Sequence, residues 1–89
     1  MNDEAIENAL TKLVNAVRTF SDEYPRDDDA RRILAILTPA PSRRPEMFGI
    51  VKQSTEALLK KLADAPKLDE HRKRVAAAWE EVVRDVPLQ

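Results

Sequence analysis

One imidazole is present in this chain, His71, and a histidine near neutral pH can accept a proton, accept a phosphoryl group or bind a metal. A metal at His71 would have to take its remaining ligands from carboxylates, because the chain has no cysteine; the same absence excludes disulfides and thiolate zinc sites. The sixteen acidic residues include the run Asp27-Asp28-Asp29. Calcium loops alternate their oxygen ligands and need a glycine for the turn, whereas the single glycine, Gly49, lies elsewhere. The run reads better as the start of a helix, where negative charge meets the positive end of the macrodipole. Sixteen acids spread over helical surfaces supply many accidental pairs, so no general acid and base can be assigned. There is no Gly-rich phosphate loop, no H-E-x-x-H and no nucleophile elbow. We therefore assign no catalytic residue, no metal and no cofactor, and expect the protein not to be an enzyme.

The elements that would position these residues follow from periodicity. With 89 residues, 43% of them hydrophobic and one glycine, the chain is too apolar for disorder and too glycine-poor for a turn-rich β domain. Ile6, Ala9, Leu10, Leu13, Val14, Val17, Phe20 and Tyr24 recur at steps of three and four, which predicts a helix over 3–24, closed by Pro25. Ala30, Ile33, Leu34 and Leu37 predict a short second helix over 28–37, ended by Pro39. The segment 38–45 holds three prolines and reads as a stiff linker, with Pro45 suited to the first position of the next helix. Met47, Val51, Thr55, Leu58 and Leu62, flanked by Phe48 and Leu59, mark a third helix over 45–65. Pro66 interrupts the chain. Val75, Ala76, Trp79, Val82, Val83 and Val86 mark a fourth over 69–86, with Trp79 a core residue. The expectation is a single all-α domain, a bundle of four helices with the second one short.

A lone histidine on a bundle helix resembles the histidine-containing phosphotransfer domains, a likeness that implies His71 as phosphoryl acceptor. The surrounding Glu70-His71-Arg72-Lys73-Arg74 departs from that family, lacking the small residue before the histidine and the leucine-lysine-glycine run after it. The position also falls near a helix start instead of mid-helix.

Charge and stripe width bear on partners. Residues 1–30 carry a net −5 and residues 31–89 a net +4. Arg31, Arg32, Arg43 and Arg44 cluster around the proline linker, and a nucleic-acid reading would use them as phosphate contacts. The linker is longer than a helix-turn-helix allows, and the sequence pI near 5.8 is far from the basic balance such domains show. The apolar arc of the first helix covers about half its circumference, more than a peripheral bundle helix needs. Val14 and Ala16 at its margins, with Ile36 off the main face of the second helix, are therefore expected to meet a partner, with Arg43 and Arg44 as further contacts. The function expected is a non-enzymatic protein-protein interaction module or small accessory subunit, self-associating as a homodimer. No stretch approaches the ~20 apolar residues that span a bilayer, and the start of the chain is acidic where a secretory signal would be basic. No membrane is expected, and the location expected is the cytoplasm.

Overall fold

The computed structural model describes residues 3–38 and 45–85. The helices are α1 (Asp3–Glu23), α2 (Asp28–Leu37), α3 (Pro45–Ala63) and α4 (Asp69–Asp85), with a 3-10 turn at Pro66–Leu68 leading into α4. Each boundary has a local cause. Tyr24 precedes Pro25 and cannot stay in α geometry, so α1 ends at Glu23. Asp27 caps α2, its Oδ1 accepting from the Ala30 amide at 2.9 Å. Thr38 precedes Pro39 and is extended (φ −121, ψ 150), as the residue before proline prefers. Pro66 opens the 3-10 turn, which sequence periodicity does not register because one turn has no period.

Side-chain pairs fix the helix directions. Glu23 meets His71 and Lys12 meets Glu81, so α1 and α4 run antiparallel. Lys61 meets Asp27 and Arg32 meets Ser54, so α2 and α3 do the same. α1 packs on α2 and α4, α3 packs on α2 and α4, and the pairs α1/α3 and α2/α4 lie diagonally across the bundle. This is an up-down-up-down bundle in which α2, with 10 residues against the 21 of α1, flanks only part of its length. Ala30, Ile33 and Leu37 are buried, so α2 is docked on the core and does not swing away on the linker.

The width of the α1 arc now has an intramolecular cause. Val14 is 7% exposed and Ala16 3%, both within the core that α1 shares with its two neighbours. Little of either side chain is left at the surface, although Ala16 still lines an open groove between α1 and α4. Ile36, half-buried, also packs against that core. Arg43 and Arg44 lie outside the described residues. In α4, Ala78 is buried where the stripe had Val83, and Val83 is 55% exposed. The expected end of that helix at Val86 also lies outside the described residues. Asp69 and Lys73 pair as their spacing suggests, at 3.2 Å, whereas Arg84 turns to Glu81 and Asp85 instead of Glu80.

One core residue is out of character. Thr55 is fully buried, and its Oγ1 has no hydrogen-bond partner among the described residues, a state that costs roughly 1–3 kcal/mol for a hydroxyl. Thr55→Val, which replaces the hydroxyl with a methyl, should raise stability by about 1 kcal/mol in urea denaturation. Trp79→Ala should cost about 3–5 kcal/mol, most of the stability of a domain this size. Val14→Glu places a carboxylate among apolar neighbours and should abolish the helical circular-dichroism signal's cooperative melt; a folded Val14→Glu protein would remove Val14 from the core.

Candidate functional site

Two connections, from α1 to α2 and from α3 through the 3-10 turn to α4, bring the four helices together at one end of the bundle. The chain leaves α1 at Pro25 and re-enters helix at Asp28, with the Asp27 amide donating to the Tyr24 carbonyl at 3.2 Å. Asp27 does double duty. While Oδ1 caps α2, Oδ2 receives Lys61 Nζ from α3 at 2.6 Å, and Asp29 receives the same ammonium at 3.1 Å. The hydrogen bond to Asp27 outweighs the effect of burial, and with Asp29 it holds the Lys61 ammonium above the ordinary lysine range. The aspartate run thus serves as cap and anchor for a cation on the neighbouring helix. Among the described residues no group of His, Cys, Asp and Glu could hold a metal ion.

On the other side of the corner, the first turn of α4 delivers His71 beneath the end of α1. Its ring stands edge-on to Phe20 at 5.4 Å and to Tyr24 at 6.4 Å, while Phe20 and Tyr24 stack at 5.1 Å. Such offset and edge contacts suit the ring quadrupoles. His71 Nε2 lies 2.5 Å from Glu23 Oε2, so the N–H sits on Nε2 and donates to the carboxylate. Nδ1 is buried without a partner among the described residues. One nitrogen is therefore engaged and the other enclosed, and the ring, 8% exposed, presents no free lone pair to a phosphoryl donor. Nearby, Arg72 first and Lys73 second hold the Asp69 carboxyl below its usual value at the start of α4.

The surface between these two anchors is an open pocket of about 420 Å³. Its apolar lining is Phe20, Tyr24, Pro25 and Leu68, and its polar rim is Glu23, Arg26, Asp27 and Lys61. Tyr24 is 37% exposed, since the proline stop turns it off the helix whose stripe it continues. Two other grooves differ in kind. The one between α1 and α4, about 300 Å³, is floored by Ala16, Ala77 and Ala78 and has the Lys12–Glu81 ion pair among its lining residues. The one between α2 and α3, about 330 Å³, is lined by Asp29, Arg32, Ile50, Gln53, Ser54 and Ala57. Neither has an aromatic wall.

None of the site residues expected from sequence lies in the corner pocket. Val14 and Ala16 are core, Ile36 is packed on the core, and Arg43 and Arg44 are outside the described residues. Arg31 and Arg32 are exposed on α2, with Arg32 turned to Asp29 and Ser54. Arg72 and Lys73 on the diagonal helix α4 are bound to Asp69, so these cations do not merge into one stripe along a phosphate backbone. Sequence reading placed Tyr24 on the apolar stripe of α1, took Pro25 only as a helix stop, and passed over Arg26 and Lys61. The available signal was a tyrosine immediately before a proline at the end of an apolar stripe.

Lys61→Met should cost a few tenths of a kcal/mol, because Lys61 is half exposed and screened. A raised folded-state pKa means the contribution is complete at pH 8 and disappears as pH climbs through the folded value, above the ordinary ~10.4 of lysine. Urea midpoints of the two proteins should therefore differ at pH 8 and draw together as pH climbs past the ordinary lysine range, and the gap at pH 8 should shrink in about 1 M salt. Comparison of the chain with protein-family models, with characterised proteins and with solved structures finds no match.

Proposed function

We propose that this chain is a non-enzymatic protein-protein interaction module, and that its docking point is the pocket at the corner of α1 and α2. The observation that carries this reading is a combination absent from the other two grooves described above: an aromatic and proline wall, open to solvent, beside the Asp27–Lys61 and Glu23–His71 pairs. Aromatic side chains give large contact area for little lost freedom and are enriched at interfaces. His71 supports the corner as a structural prop, with both ring nitrogens withheld from chemistry. As part of the same proposal we place the protein in the cytoplasm, which a cysteine-free chain suits; among the described residues no helix is long and apolar enough to cross a membrane.

Self-association was expected because of the breadth of the α1 arc, and that breadth is now accounted for inside one molecule. A partner of different sequence is therefore the reading preferred here, with the homodimer as the second. The nucleic-acid alternative rests on Arg31, Arg32, Arg43 and Arg44, of which Arg32 is turned to Asp29 and Ser54 and Arg43 and Arg44 lie outside the described residues.

A photo-reactive residue at position 24 should give a discrete cross-linked species in the native cells, and the same residue at the exposed positions 50 and 83 should not. Leu68→Asp, in the pocket wall, should abolish that species while leaving the helical content intact. Persistence of the adduct in the Leu68→Asp protein, or stronger cross-linking from positions 50 and 83, would overturn the assignment. An adduct with the mass of two copies would favour the homodimer over a different partner.

A further inference from the structure

We infer that the corner pocket receives a bulky apolar side chain from a partner peptide that carries a carboxylate next to it, and that Arg26 receives the carboxylate. This rests on the reading of the corner as the docking point. The apolar half of the inference follows from the lining, since Phe20, Tyr24 and Leu68 surround a space within the range that holds small organic groups. The charged half follows from which rim groups are already committed. Asp27 is shared between the Ala30 amide and Lys61. Lys61 is shared between Asp27 and Asp29. Glu23 accepts from His71 through Oε2. Arg26 lines the same pocket and has no hydrogen bond or ion pair among the described residues.

In the free protein that guanidinium is exposed, and water satisfies its five N–H donors at no cost. A partner that seals the pocket removes this water. Its contact is then favourable only if it supplies an acceptor, because a desolvated and unpaired cation costs more than the apolar contact returns. A carboxylate is the matching group, as it takes two parallel N–H bonds from a guanidinium. A basic partner would face Arg26 and Lys61 together, with Glu23 holding His71 through one of its two carboxylate oxygens.

The test is amide chemical-shift mapping on the 15N-labelled full chain with two blocked peptides, Ac-Ser-Glu-Phe-Glu-Ser-amide and Ac-Ser-Lys-Phe-Lys-Ser-amide. The acidic peptide should shift the amides of Phe20, Glu23, Tyr24, Arg26 and Leu68 and bind about tenfold more tightly than the basic one, the factor expected for a charge-assisted hydrogen bond. Arg26→Glu should reverse that order and Arg26→Gln should bring the two peptides level. Because Arg26 is exposed and has no partner among the described residues, both variants should melt like the parent. If the basic peptide binds as tightly as the acidic one, or if Arg26→Glu leaves their ratio unchanged, the role given to Arg26 fails while shifts confined to the corner still uphold the docking reading. If neither peptide shifts the corner amides at millimolar concentration, the docking reading and the role of Arg26 fall together.

Discussion

Burial of one half of α1 is the interaction on which the rest of this structure depends. A chain of 89 residues with no cysteine must draw its stability from a single apolar core. α1 contributes Ile6, Ala9, Leu10, Leu13, Val14, Ala16, Val17 and Phe20 to it. A surface that broad cannot be covered by one neighbour, since helices touch along narrow ridges and grooves. It requires α2 on one side and α4 on the other, and α3 then closes the square by packing on both. The small residues Ala16 and Ala78 meet the requirement on the α4 side, where they floor a shared groove and let the two helices come close.

The prolines decide what is left over at the end of the bundle. Pro25 stops α1 one residue before its stripe would have ended, so Tyr24 is stacked on Phe20 but half turned to solvent. Pro66 replaces a clean helix start with a 3-10 turn and brings Leu68 against the core from outside. Neither residue has enough neighbouring surface in the chain to be buried completely. The polar residues of the same corner tie the helices together, binding α1 to α4 through Glu23–His71 and α2 to α3 through Asp27–Lys61. Apolar residues left uncovered on a base fixed by polar ones are a consequence of where the helices must stop.

This explains which parts of the molecule were legible in the sequence. Helix identity and boundaries were, because period, caps and proline stops are local signals: Asp27 as cap and Pro25, Pro39 and Pro66 as breaks all act within four residues of where they stand. The aspartate run was read as a helix start for the right physical reason, but Lys61, 34 positions away, was invisible to that argument. The cause of the broad α1 arc was not legible either. Arc width measures how much of a helix is buried and carries no information about whether the cover comes from the same chain, so Val14 and Ala16 read as an interface where the structure buries both between α1 and its neighbours in one molecule. Tyr24 fitted the stripe by spacing, and only the backbone reversal at Pro25 shows that spacing stops counting there.

Thr55 and His71 show the same core tolerating polar groups in two different ways. Both keep an atom without a hydrogen-bond partner among the described residues, Thr55 Oγ1 and His71 Nδ1, and each such atom lowers stability in a domain with little to spare. For Thr55 nothing in the structure returns the cost. For His71 a return is visible: Nε2 binds Glu23 and the ring braces Phe20 and Tyr24. A phenylalanine at position 71 could brace the same two rings but could not hold the Glu23 carboxylate on the pocket rim. Retaining a half-satisfied imidazole at this position is therefore intelligible if the orientation of Glu23 and the aromatic wall matters more than the last increment of stability, which is what a docking surface requires of the residues behind it.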